Sequence, residues 1–151
     1  MPCIPIKSIF ESMNCIFCDI VNKKANAEIL FENEKVIAFL DIRPVNYGHT
    51  LIIPKKHSEN FLSICEEDLF ELVRITKMIS GAITKSINPD GFNIVTNNGT
   101  AAGQSVFHFH FHIIPRYKND AFSFRPNLKS YSNGTMREFA NKIRSEIFSK
   151  G

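Results

Sequence analysis

No apolar stretch among the 151 residues is long enough to cross a bilayer, which excludes a helical membrane anchor. Met1 to Ile9 hold two prolines, no sustained apolar run and no small-residue cleavage pattern, so no signal peptide is read there. Excess charge is missing too. The formal net charge is +3, and the basic residues are scattered as Lys23-Lys24, Lys55-Lys56 and Arg116 to Lys118. That argues against nucleic acid as a partner and describes a solvated surface with a weak attraction for small anions. Internal repeats, low-complexity tracts and linkers are absent, so nothing divides the chain. The cysteine pattern of a secreted scaffold is also lacking. Cys15 and Cys18 form a C-x-x-C, whereas Cys3 and Cys65 stand alone. Without a secretory signal, C-x-x-C reads first as a metal or redox motif, and the reducing cytoplasm is the expected compartment.

What is present fits one soluble domain of 17.2 kDa, with 44% hydrophobic and 22% charged residues. Residues 1–13 show neither helical nor strand periodicity and read as an extension; 14–151 read as a single domain whose C-terminal tail begins at about 118. A short helix is expected from Cys15 to Val21. Strands are expected at Ile29–Phe31, Val36–Leu40 and Thr50–Ile53, separated by turn residues that include Pro44 and Gly48. Ser63-Ile64-Cys65-Glu66 has capping-box spacing. A long amphipathic helix follows, with Leu69, Leu72, Val73, Thr76, Ile79, Ile83 and Ile87 on one stripe, and Asn88-Pro89-Asp90-Gly91 stops it. Two further strands, Phe92–Thr96 and Val106–Ile114, precede a last helix. Thr135 to Glu138 repeats the capping-box spacing there, and Phe139, Ala140, Ile143 and Ile147 are its apolar positions. The fold class is α+β: an antiparallel meander sheet with one long central helix and a C-terminal helix.

Phe107 to Ile114 is the most informative segment. Strand alternation puts His108, His110 and His112 on one face and Phe107, Phe109, Phe111 and Ile113 on the other. Clustered imidazoles repel one another when charged, which favours neutral rings suited to metal ligation or to nucleophilic and acid–base chemistry. The preceding stretch Asn97 to Ser105 is a small glycine-containing loop with amide and hydroxyl side chains, able to surround phosphate oxygens with donors.

The sequence here resembles the histidine triad (HIT) family. Residues 108–114 match the signature His-φ-His-φ-His-φ-φ, where φ is apolar. Gly103-Gln104-Ser105-Val106, Asp41-Ile42, Gly48-His49-Thr50 and Ile53-Pro54-Lys55-Lys56-His57 resemble its other blocks, over roughly Cys15 to Tyr117. The resemblance implies that His110 attacks the α-phosphorus of a nucleotide, that a nucleotidyl-histidine intermediate forms, and that water then releases a nucleoside monophosphate. It gives His112 a phosphoryl oxygen to bind, and gives Asn97, Gln104 and Ser105, with the Val106 backbone, phosphate or leaving-group contacts. Asp41 matches a carboxylate that holds the ribose. Phe17, Ile20, Phe39, Leu40 and Ile42 form an apolar slot for the base, or serve equally well as core. His49 is placed behind the triad as an orienting residue.

Among bacterial-type relatives the resemblance further implies a structural zinc held by Cys15, Cys18, His57 and His108, with no metal needed for catalysis. The expected substrates are purine nucleoside phosphoramidates or related AMP conjugates. Cleavage of dinucleoside polyphosphates is the alternative suggested by Ile114-Pro115-Arg116, and nucleotide-dependent regulation with slow turnover is another. A homodimer with a continuous sheet is expected from the same resemblance.

Overall fold

Val36–Leu40 and Thr50–Pro54 are almost continuously apolar because both faces of the sheet are covered where these strands lie. In the computed structural model, which describes residues 14–121 and 128–149, the elements in chain order are α1 (Ile16–Val21), β1 (Ile29–Glu32), β2 (Val36–Leu40), β3 (Thr50–Pro54), α2 (Glu66–Ile87), β4 (Gly91–Val95), β5 (Phe111–Arg116) and α3 (Thr135–Phe148). The extension read over 1–13, with Cys3, lies outside the described residues. The chain divides into two compact units, 1–121 and 122–151, and α3 belongs to the second. Among the described residues, no helix is long and apolar enough to cross a membrane.

The five strands form one antiparallel sheet in the order β1-β2-β3-β5-β4. Strand alternation sorts its side chains into two layers. Val36, Ala38, Ile52 and Ile113 meet Leu72, Ile75, Ile79 and Ile83 of α2 on one face. Ile37, Phe39, Leu51 and Ile53 meet Phe17, Cys18 and Ile20 of α1 and its N-cap Cys15 on the other. The two-residue periodicity of the strands thereby decides which side chains face the long helix and which face the histidines.

The long helix begins at Glu66, with Cys65 as its N-cap and no side-chain cap bond. The capping box expected at Ser63 is not formed. The Ser63 hydroxyl accepts the Asn60 N–H and donates to the Asn60 carbonyl, closing a turn before the helix. Glu66, Glu67 and Asp68 in the first turn complement the helix dipole, and Asn88 ends α2 in the left-handed region (φ 46°). The buried stripe is Leu72, Ile75, Thr76, Ile79, Ser80 and Ile83. Val73 and Ile87, expected within it, lie at its margins and are exposed.

In α3, Thr135 is the first helical residue and Gly134 the N-cap, so the second capping box is also replaced. The Glu138 carboxylate pairs with Lys142 instead. None of the described residues of α3 is buried.

The strand expected over Val106–Ile114 starts only at Phe111. Its pairing with β3 ends at Ile52↔Phe111. Beyond that point the Pro54 carbonyl accepts from the His108 imidazole and the Phe109 N–H donates to the Ser58 carbonyl, so a side chain and a loop replace the ladder. Phe109 is fully buried and packs on Phe111 against the α2 layer. Phe107, expected on that face, is instead 45% exposed and takes no part in that layer.

Candidate active site and metal centre

His108, His110 and His112 converge despite the short strand. Phe17 of α1 stands edge-on to the rings of His108 and His110, and the His110 and His112 centroids are 4.7 Å apart. Backbone groups decide where each ring carries its proton. His108 Nε2 lies 2.8 Å from the Pro54 carbonyl. A carbonyl only accepts, so this nitrogen is the donor and Nδ1 keeps its lone pair.

That lone pair faces Cys15 Sγ at 3.5 Å and Cys18 Sγ at 3.6 Å, and His57 Nδ1 is 3.3 Å from Cys18 Sγ. All four ligand atoms lie within 4.8 Å of one another. In a tetrahedral zinc site the ligand atoms are about 3.3–3.8 Å apart; the donor set fits the metal, and the three contacts above already fall in that range. Burial, reinforced by the neighbouring Cys15 thiol, pushes the Cys18 thiol up to about 12. A metal would have to displace that proton, which couples binding to proton release.

His110 Nδ1 is 2.7 Å from the His108 carbonyl and is therefore the protonated nitrogen, leaving Nε2 with a lone pair. Burial holds this imidazole below its usual pKa. His112 has the opposite arrangement. The Val45 N–H donates to His49 Nδ1 at 3.2 Å, so the His49 proton is on Nε2, which donates to His112 Nδ1 at 2.9 Å. His112 then carries its own proton on Nε2. The site thus presents an acceptor on His110 beside a donor on His112.

Burial, with His110 and His49 close by, lowers the His112 pKa to about 4. His49 is lowered as well, because its burial outweighs the nearby Asp41 carboxylate, 3.7 Å from its Nδ1. Asp41, His49 and His112 also cluster, but one proton already joins the facing nitrogens of the two rings, which leaves neither of them for a metal.

The loop before the triad turns on Gly99 (φ 85°) and Gly103 (φ 87°), positions where a side chain would be strained. Gln104 is buried and all its polar atoms are used within the fold. Its Oε1 accepts the Gly99 N–H, while Nε2 donates to the carbonyls of Glu59 and Val106. It clasps the loop, and the direct phosphate contact expected of it is not open to it here. Ser105 is exposed, Val106 half-buried, and Asn97 lies alongside Gly103. Asp41 Oδ1 accepts the Arg43 N–H, which fixes the carboxylate at the end of β2.

Of the expected base slot, Phe17, Ile20 and Phe39 are core, Leu40 is half-buried, and Ile42 projects into solvent at 89% exposure. A cavity of about 510 Å³ opens between the start of α1 and Ser105–Phe107, walled by Ile16 and His57 among others. Ile16, 49% exposed, is the outward apolar residue that an amphipathic reading of α1 picks out. The backbone partners Pro54 and Val45 carry no such sequence signal.

The chain matches the HIT domain over residues 22–119. It belongs to the histidine triad family. A HIT-like protein of Methanocaldococcus jannaschii is 49% identical over 106 residues, covering 70% of this chain and 81% of that protein. Adenosine 5'-monophosphoramidase of Schizosaccharomyces pombe is 36% identical, covering 89% and 99%. The crystal structure of a HIT family protein from Bacillus anthracis superposes with a TM-score of 0.81 at 40% identity, covering 89% of this chain and 97% of that one. A zinc-bound histidine triad protein from Mycobacterium smegmatis gives 0.70 at 36% identity, covering 89% and 99%. Membership of this family, some of whose members bear hydrolase names, supports hydrolase chemistry at a coarse level for this HIT protein.

The low pKa of His112 makes a prediction for stability. The unfolded chain takes up a proton near pH 6.5, and the folded ring resists it until about 4. Stability should therefore be full above 6.5 and fall as the pH drops from 6.5 toward 4. Urea midpoints at pH 7 and pH 5 should differ less in His112→Asn than in wild type; an equal difference would refute a buried neutral ring.

Proposed function

We propose that this HIT protein is a nucleotide hydrolase or transferase that cleaves at the α-phosphate of purine nucleoside phosphoramidates or related AMP conjugates. The observation that carries this reading is the pairing of opposite tautomers, an Nε2 lone pair on His110 beside an Nε2–H on His112. His110 Nε2 attacks the α-phosphorus and the bond to the leaving nitrogen breaks. That nitrogen departs with the electron pair and takes up a proton, leaving as an amine. His112 donates to a non-bridging oxygen as charge builds there. Water then attacks the nucleotidyl-histidine, AMP leaves, and His110 regains its lone pair. Ser105, Asn97 and the Val106 backbone bind the phosphate, Asp41 the ribose, and Ile42 with Leu40 flanks the base.

Arg116, in the Ile114-Pro115-Arg116 segment that suggests the dinucleoside polyphosphate alternative, is held by Asp120 at 2.7 Å and by Asn93. The amidase name of the S. pombe relative favours the phosphoramidate reading.

Cys15, Cys18, His57 and His108 would hold a structural zinc, whose chemistry is to tie α1, the end of β3 and the triad together. The zinc-bound M. smegmatis relative supports this assignment.

The chain is also proposed to act as a homodimer. β4 is an edge strand whose Phe92 and Ile94 are exposed, and with Val73 and Phe111 they border a groove of about 450 Å³ against α2. Thr96 Oγ1, next to β4, is buried without a partner. A second copy pairing along β4 would cover the groove and the open strand edge.

Three measurements test these assignments. Wild type should release AMP from an adenosine phosphoramidate, and His110→Ala should lose roughly 10³-fold or more of that rate; equal rates would refute nucleophilic catalysis by His110. Metal analysis should find one zinc per chain in wild type and markedly less in Cys15→Ser, whereas equal contents would dismiss the site. Sedimentation should give a dimer that Ile94→Asp converts to a folded monomer, and a wild-type monomer at micromolar concentration would overturn the assembly.

A further inference from the structure

The proton on His112 depends on a single main-chain group, the Val45 N–H, and that group sits on a loop with no regular structure between β2 and β3. Something has to keep the loop in place. Gly48 does part of this: its φ is 87°, and a Cβ there would come within 2.7 Å of Ile87 Cδ1, so the loop lies tightly against the end of α2. Asn46 does the rest. Its carbonyl accepts the His49 N–H at 3.0 Å, and its side-chain amide donates to the Pro115 carbonyl at 2.8 Å and to Asp120 Oδ2 at 2.9 Å.

Asp120 follows β5 in sequence, away from the triad, yet its side chain is only 8% exposed. Its two oxygens accept from Arg116 Nε and Nη2, both at 2.7 Å, and from the Tyr117 N–H at 3.1 Å, besides Asn46. The Arg116 guanidinium reaches on to Asn93 of β4 at 2.7 Å. An exposed ion pair would contribute little. This one is largely withdrawn from water, and it places a rigid acceptor where the Asn46 amide ends.

We propose that Asp120 is a positioning residue for the phosphoryl-oxygen contact: through Asn46 it holds the Val45 amide against His49 and so keeps the His112 proton on Nε2. The catalytic consequence rests on the reading of His112 given under the proposed function. Without Asp120 the Asn46 amide retains one acceptor, the Pro115 carbonyl, and the loop can shift. Once the Val45 N–H leaves His49 Nδ1, the Asp41 carboxylate 3.7 Å from that nitrogen favours a proton there. If His49 Nδ1 becomes the protonated nitrogen, Nε2 turns into an acceptor, the His112 proton moves to Nδ1 to meet it, and the donor aimed at the phosphate is lost.

The test is long-range ¹H–¹⁵N NMR of the imidazoles in full-length wild type, Asp120→Ala and Asn46→Ser, read together with steady-state kinetics on an adenosine phosphoramidate. Wild type should show His49 and His112 as Nε2–H tautomers. Both variants should show mixed tautomers at His49 and His112 while His110 remains Nδ1–H. Their kcat should fall roughly tenfold, as expected for a displaced contact, with KM changed less than about twofold. Asn46→Ser leaves the Arg116–Asp120 pair intact, so it decides the matter alone if Asp120→Ala does not fold. Unchanged tautomers in a folded variant, or an unchanged kcat beside shifted tautomers, would overturn the proposal. The spectra need no turnover, so failure of wild type to release AMP would count against the proposed reaction and leave the tautomer result to judge Asp120.

Discussion

The interaction on which the site depends is the one made by His108 in two directions at once. Its imidazole gives one proton to the Pro54 carbonyl and turns a lone pair toward two thiols, while its own carbonyl takes the proton of His110. The first contact anchors the Cys15–Cys18 turn to the end of β3; the second leaves a buried imidazole with a lone pair on Nε2. Both belong to one residue, so the Cys/His cluster and the His110 lone pair are held by the same short segment. Neither can move far without the other.

Burial gives this arrangement its force. In water a histidine exchanges tautomers readily and titrates near neutrality. Here His108 and His110 stand against Phe17, desolvation keeps the rings neutral, and each remaining proton is assigned by a main-chain group, directly or, for His112, through His49. Neighbouring rings thereby acquire opposite polarity at identical atoms. In a low-dielectric site such prearranged dipoles cost no reorganisation when charge develops on a phosphoryl oxygen.

The sheet supplies the rigidity. β3 is buried on both faces and pairs with β5 at Leu51↔His112, so the last triad residue is held by a fully buried strand. Its neighbours His110 and His108 lie beyond the ladder, where loops and side chains replace strand pairing. That step off the sheet lets the His108 carbonyl turn toward the His110 ring.

Much of this was written in the sequence. Val36–Leu40 and the end of the long helix at Asn88 follow from apolar periodicity and from residues with strong local preferences, and so does the grouping of the three histidines, although only His112 of them lies on the strand. Those signals are local, so they survive without a structure. The capping boxes at Ser63 and Thr135 did not, because a hydroxyl that finds a nearer turn partner no longer caps a helix. Gln104 carried a family pattern whose use here is internal, since its depth leaves its amide only backbone to bond. The sequence by itself determined which side chains can act: the imidazoles, the thiols, the glycine loop. Only the tertiary structure decided their protonation, because the groups that assign it are the Pro54 and His108 carbonyls and the Val45 N–H. Every residue type carries such backbone groups, so no sequence pattern marks them.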